Sequence, residues 1–551
     1  MPAVTGRRLG FVVGGSLTKG LDVKLDREQP IEELAVGRYV VAHSGRYRFF
    51  SMITDVVLDS TNPMFEKTPP DLSNDFLRQV HMGTTAFGRV HLSPMLMLEE
   101  GEMEPRPVKT IPSHYTPVYE ATADDVAYIF GEEGYDQRRR AYYFYVGEPL
   151  DMDNIKITIN LQRLVERSSG VFGKSGTGKT FLSRLILAGV IKHGVAVNLV
   201  FDMHNEYGWA GTHERGVRAK GLKDLFPGRV AIFTLDPESS RRRGAHPDAV
   251  VEIGYNQIEP QDVEMLQGIL GLSDVQVGAL YSLERRLGRD WISKLLADEV
   301  STELEDILEQ KGLHPGTLGA IRRKLGLMVR FGFLKRRPSG NPVRDLMDYL
   351  GRGMNVVLEF GRYGNSLEAY ILVANYLTRR IHQEYVRRKE AAIGGQGTEP
   401  LPLVITVEEA HKFLDPAIAR QTIFGTIARE LRKYNVTLFI VDQRPSQIDP
   451  EVMSQIGTRV TALLDDEADI RAILMGISGA AGLKEVLARL DTQQQALILG
   501  HAVPMPVVIH TRSYDVDFYR DMGYREGEEL QAALARNVAA MRGPEDFEGL
   551  E

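Results

Sequence analysis

An α/β fold built on a parallel-rich sheet, with a small β-barrel before it and a helical segment inside it, is the architecture that three features of this 551-residue chain predict. The first is Gly173-Lys174-Ser175-Gly176-Thr177-Gly178-Lys179-Thr180, which fits the phosphate-binding pattern G-x-x-x-x-G-K-[ST] at every position. It lies between the apolar Val171-Phe172 and a stretch, Phe181 to Ala188, whose apolar residues recur at helical spacing, so the glycines occupy a strand-to-helix turn. The second is a series of β-prone runs that end in acids, among them Val195 to Asp202, Leu403 to Glu409 and Val436 to Asp442. The third is the density of short β-type runs broken by Gly and Pro before residue 106.

Composition sets the bounds. At 43% apolar residues the chain has enough to bury a large core, and its length suggests about two to four domains. It contains no cysteine, which excludes disulfides and thiolate metal sites. No run approaches ~18 uninterrupted apolar residues, and the N-terminus lacks the apolar centre of a signal peptide, so a cytoplasmic protein without a membrane anchor is expected. A formal charge of −8 argues against a wholly basic nucleic-acid coat but leaves room for a locally basic channel.

In chain order, runs such as Leu9-Gly10-Phe11-Val12-Val13 and Arg48 to Leu58 predict a β-barrel over 1–106. The Pro-rich stretch that follows reads as a linker over 107–150 into the core. The core itself spans 151–256 and 351–515. Between its halves, over 257–350, apolar spacing is helical, as in Val263 to Leu270 and Asp290 to Leu296. Such an insertion explains the ~230 residues between Lys179 and the next nucleotide-site motif, too long a gap for loops alone. Residues 516–551 read as a C-terminal helical extension.

Chemistry concentrates at the strand ends. Glycines of the P-loop let backbone N–H groups curl around phosphate, Lys179 reaches the β/γ oxygens, and the Thr180 hydroxyl completes a Mg²⁺ shell, so ATP and Mg²⁺ are the expected ligands. Leu403 to Glu409 reads as a Walker B strand. Its first acid, usually Asp, is Glu408, one methylene longer, assigned to the metal; Glu409 is assigned to the attacking water. His411 fits either a phosphate contact or a structural hydrogen bond. Gln443, at the end of the neighbouring strand, is placed to sense the γ-phosphate. On the helical stretch before it, Arg429 and Arg432 form either a solvated basic face or an arginine finger that reaches a neighbouring subunit. Two further basic groups have similar alternatives, an exposed face or a DNA contact: Trp209, His213, Arg215, Arg218 and Lys220 after the second strand, and Arg322, Arg323, Lys324, Lys335, Arg336 and Arg337 in the insertion.

The P-loop, Asp202-Met203-His204-Asn205-Glu206-Tyr207, Glu408-Glu409-Ala410-His411, Asp442-Gln443-Arg444-Pro445-Ser446 and Gln495 to Gly500 together resemble the HerA family, relatives of FtsK. The likeness covers nearly the whole chain, since the N-terminal β segment resembles that family's HAS-barrel. It implies a RecA-like ATPase core in a homo-hexameric ring that moves double-stranded DNA through its pore and works with the NurA nuclease on broken ends. In that ring, ATP sits between subunits, with Lys179, Thr180 and Glu409 from one and Arg432 or Arg429 from the next. Some relatives pair instead with other effectors in antiphage defence, and secretion or conjugation motors share the same core.

Overall fold

The N-terminal strands close on themselves. In the computed structural model the described residues are 6–539, apart from 62–63, 68–72, 74–80, 82–84, 103, 151, 153, 213–217, 298–314, 431–432, 478–479 and 492–493. Strands β1 (Arg8–Ser16), β2 (Gly20–Leu25), β3 (Tyr39–Ser44), β4 (Tyr47–Ser60), β5 (Ala86–Glu99), β6 (Arg106–Pro107) and β7 (Pro117–Glu120) form one antiparallel sheet in the order β2-β1-β7-β3-β4-β5-β6. A further pairing of β2 with β5, Leu21 opposite Leu92, shuts it into a barrel. Full closure leaves no unpaired edge at the seam. Alternation along β3 then serves two cores. Val40 and Ala42 point into the barrel with Leu9, Phe49 and Val90, whereas Tyr39 and Val41 belong to the main core. The Tyr39 hydroxyl donates to the Pro506 carbonyl at 2.6 Å, fastening barrel to core.

The 107–150 segment is more than a linker. Its β7 slots between β1 and β3 of the barrel, while β8 (Gly134–Asp136) and β9 (Ala141–Pro149) join the core sheet. The prolines around Pro117 masked a strand of only four residues whose partners lie far away in sequence.

The core sheet continues with β10 (Ile157–Asn160), β11 (Ser169–Phe172), β12 (Val197–Asp202), β13 (Val230–Thr234), β14 (Ala249–Val250), β15 (Asn355–Glu359), β16 (Leu403–Glu408), β17 (Val436–Asp442), β18 (Thr458–Thr461), β19 (Gln495–Gly500) and β20 (Val507–Thr511). Its order is β10-β9-β20-β19-β18-β11-β17-β16-β12-β15-β13-β14, with β8 on β9. From β18 to β14 every neighbouring pair is parallel; the other end is antiparallel. Every residue of β11, β12, β13, β15, β16 and β17 is buried, as expected of parallel strands covered by helices on both faces.

Helix α1 (Lys179–His193) leaves β11 and leads to β12, three places along the sheet, while β18 flanks β11 on its other side. The strand order therefore reverses at β11, and a crevice opens at its C-terminal end, where ligands of such sheets bind.

The insertion is helical, as expected, with α2 (Asp274–Leu287) its longest described element, apart from a two-residue pairing of Ile253–Gly254 with Leu334–Lys335. It packs on the long helix α3 (Leu367–Ile393) through Asp262, which is fully buried and held at 3.0 Å by both Arg379 and Arg380. Trp291 is buried at its centre, with its ring N–H on the Ile258 carbonyl at 3.1 Å.

Candidate nucleotide site

Register decides which side chains meet. Phe172 of β11 lies opposite Asp442 of β17, Val441 opposite Glu408 of β16, Val407 opposite Phe201 of β12, and Asp202 opposite Glu359 of β15. Four strands thus end level and deliver Asp442, Glu408, Asp202 and Glu359 to one edge, beside the P-loop.

The P-loop is built for an anion. Gly178 caps α1 in the left-handed region, φ 86°, and Gly176 is also left-handed at φ 78°. A Cβ on either would meet nothing within 4 Å, so the space above the loop is open. The Lys179 ammonium donates to the Lys174 carbonyl at 2.9 Å, and the Thr177 hydroxyl to the same oxygen at 2.8 Å. Burial lowers the pKa of Lys179, against the opposing pull of Glu409, Asp442 and Glu408. Its charge accordingly sits among the acids at the strand ends. Lys174 itself pairs with Asp465 at 2.9 Å, beyond β18, a partner that no local sequence pattern announces.

The two acids of β16 part company. Glu408 is 6% exposed, and its Oε2 has no hydrogen-bond partner. Burial pushes its carboxyl well above the usual range, and nearby Asp202, Glu206 and Glu409 add to the effect, against a lowering pull from the Tyr207 hydroxyl. Asp202 is pushed to about 7 by burial and by Glu359, although the Glu206 and Tyr207 N–H groups, both at 2.8 Å, work the other way. A buried carboxylate oxygen without a hydrogen-bond partner, set among like charges, has the chemistry of a cation ligand. Glu409 is half-buried, and its backbone is left-handed, φ 49°. Holding a glutamate there costs about 1–3 kcal/mol, strain of the kind that collects at functional sites.

Side chains from just beyond β16 and β17 surround it. The Gln443 amide lies 3.3 Å from Glu409 Oε2, and His411 Nε2 lies 3.7 Å from the same oxygen. His411 is fixed from behind by buried Asp442, which accepts from its Nδ1 at 2.9 Å and its backbone N–H at 2.7 Å; this bond raises the imidazole pKa. The sequence leaves His411 between a phosphate contact and a structural bond, and the structure makes the second. Tyr370 of α3 is the residue that sequence reasoning missed. Its buried hydroxyl donates to the Glu408 carbonyl at 2.9 Å and accepts the Glu408 N–H at 3.1 Å, pinning the strand tip from below. Its helix reads as apolar packing, and nothing local marks one tyrosine as a clamp.

Arg429 stays outside this cluster. Arg429, on α4 (Ile423–Glu430), donates to the Ala419 carbonyl at 3.3 Å, and its other terminal nitrogen is buried without a partner. Arg432 lies outside the described residues, as do His213 and Arg215. Lys220 sits 3.9 Å over the Tyr524 ring.

Residues 144–381 match the family model described as "Helicase HerA, central domain". The DNA double-strand break repair helicase HerA of Sulfolobus acidocaldarius is 22% identical over 516 residues, 92% of this chain and 93% of that protein. The chain is similar to the HerA repair helicases over most of its length, and the family model itself matches its central part. Another HerA relative, the repair helicase of Pyrococcus furiosus, is 24% identical over 435 residues, 76% of each chain. Among solved structures, VirB4 of Thermoanaerobacter pseudethanolicus aligns with a TM-score of 0.43 at 15% identity, covering 67% of this chain and 96% of its own. The plasmid coupling protein TrwB, in complex with ADP and Mg²⁺, aligns at 0.44 and 12%, covering 70% and 96%. No helix among the described residues is long and apolar enough to cross a membrane.

Proposed function

We propose that this chain is the ATP-hydrolysing subunit of a cytoplasmic homo-hexameric ring that moves double-stranded DNA and works with a NurA-type nuclease on broken ends. What supports the reading above all is the single edge that holds Lys179, Glu408, Glu409, Gln443 and Asp442 around an open glycine cradle. Phosphoryl transfer asks for little beyond such positioning and charge stabilisation. Backbone N–H groups of 173–180 and Lys179 hold the phosphates of ATP. Thr180 and Glu408 would hold Mg²⁺, which would supply charge neutralisation to the phosphates. Glu409 accepts the proton of the attacking water; His411 and Gln443 keep its carboxylate turned toward the cradle, and Tyr370 keeps the strand tip level.

Double-stranded DNA is expected to raise ATP turnover, and affinity for unrelated duplexes should fall together as salt rises, with a log–log slope of about −0.9 per phosphate neutralised. Sequence-dependent affinity with little salt response, or turnover indifferent to duplex, would remove DNA translocation and leave a motor for another cargo.

A neighbour's arginine completes the site in this reading. Arg432 is favoured over Arg429, whose guanidinium is engaged on its own subunit's Ala419 carbonyl. Arg432→Ala protein should assemble and bind ATP yet hydrolyse almost none. Mixed with Lys179→Ala protein under subunit exchange, it should regain part of the activity at interfaces where each partner supplies what the other lacks. A strictly linear loss when it is dosed into wild type, together with no rescue in the mixture, would make Arg432 a solvated surface residue.

A further inference from the structure

Two arginine-rich runs that are almost a hundred residues apart reach the same edge of the sheet. Arg241-Arg242-Arg243 ends the short helix Pro237–Arg242 just beyond β13. Lys335-Arg336-Arg337 follows Phe331 and Phe333, whose rings pack on Tyr363 beyond β15, the nearer pair of centroids at 5.0 Å. Leu334–Lys335 also pairs with Ile253–Gly254 just past β14. Since β13, β14 and β15 are parallel neighbours, both runs emerge over their C-terminal tips.

Buried acids set a floor under this edge. Glu359, unexposed at the tip of β15, pairs with Arg243 at 2.7 Å, and Asp236, 1% exposed, lies 3.4 Å from Arg362. The two guanidiniums are thereby oriented while their side chains remain 33% and 55% exposed. Above them Arg241, Arg242, Arg336 and Arg337 are all exposed, and among the described residues none of the four has a carboxylate within ion-pair distance. Other basic residues are spent on the fold: Arg322 donates to the Leu296 carbonyl at 3.3 Å, and Lys324 to Gln276 at 2.8 Å. Of the acids nearby, Glu252 is bonded by Ser339 at 2.9 Å, and exposed Glu238 lies 3.9 Å from Arg362. A positive edge on a chain of net charge −8 has had its counter-charges buried or bonded.

Resting on the duplex-DNA reading above, we propose that Arg241, Arg242, Arg336 and Arg337 form the edge on which the sugar-phosphate backbone of duplex DNA docks, with Arg243 and Arg362 as its fixed floor. Guanidinium matches phosphate geometry with two parallel N–H···O bonds, and contacts to phosphate alone carry no sequence information, as a sliding protein requires. The same chemistry separates these residues from the 322–324 run, whose Arg322 and Lys324 serve the insertion's own packing.

Binding of a short labelled duplex to the full chain, followed by anisotropy over a salt series, tests this edge. Arg241→Ala/Arg242→Ala and Arg336→Ala/Arg337→Ala are each expected to weaken binding roughly tenfold or more near 0.1 M salt and to reduce the salt slope by up to about 1.8. The corresponding Lys pairs keep the charge and should hold most of both affinity and slope, with melting temperatures at the wild-type value. If an alanine pair lowers the melting temperature, the lysine pairs decide. Wild-type affinity and slope in both alanine pairs, or lysine pairs as weak as the alanine ones, would overturn the edge while leaving duplex binding elsewhere on the chain. A wild-type chain that binds poly-glutamate but no duplex would overturn the DNA reading itself and give the edge to an acidic protein partner.

Discussion

Lys179→Ala protein is expected to hydrolyse ATP more slowly by a factor on the order of 10²–10³ or greater, the scale of losing one preorganised charge donor at a phosphoryl-transfer centre. Its fold should survive. Among the described residues the ammonium makes one hydrogen bond, to the Lys174 carbonyl within the same loop, and the left-handed Gly178 that caps α1 does not depend on the side chain. Burial also opposes the charge of Lys179, so truncation relieves a desolvation cost as it removes the function. Steady-state ATP turnover and a melting curve on the same preparation separate the two effects. Turnover at the wild-type rate would end the P-loop assignment, whereas lost turnover with a collapsed melting temperature would point to a structural lysine.

What the sequence made legible here is what neighbouring residues determine together. The P-loop is a contiguous pattern, and the acids at 202, 408 and 442 end apolar runs, so their strands could be read without knowing the sheet. Level delivery to one edge depends on register between strands as much as 270 residues apart in the chain, as Phe172 is from Asp442, which no local period encodes. Tyr370, Asp442 behind His411 and Asp465 behind Lys174 act through such long-range pairing, and each looks ordinary in its own window. The same holds for β7, whose four residues gain meaning only when closure of the barrel gives them two partners. The arginine pair at 241–242 went unremarked for the converse reason: a charged run is a usual solvated surface until the fold shows what lies beneath it. Backbone strain was hidden too. Nothing in Glu408-Glu409 foretells that the second residue adopts a left-handed conformation and lies half-buried while the first is buried.

That divergence yields the sharpest distinction between the two acids. Glu409→Gln protein is expected to bind nucleotide close to wild type and to hydrolyse it slower by about 10²–10⁴-fold, since an amide of the same shape cannot take the proton of water. Gln443 and His411 can still hold the amide in place, so binding and fold should be spared. Glu408→Gln removes something different. In the absence of a cation its carboxyl is buried beside Asp202, Glu206 and Glu409, so a neutral amide should leave the melting temperature unchanged or raise it. Its loss of turnover should shrink as magnesium is raised, because what is weakened is the metal's affinity, and nucleotide binding should become more dependent on added magnesium. Titration of both variants against magnesium therefore separates metal holding from proton transfer. A Glu408→Gln defect deeper than that of Glu409→Gln and indifferent to magnesium would exchange the two roles, leaving Glu409's strained backbone to serve the metal and the buried acid to serve the water.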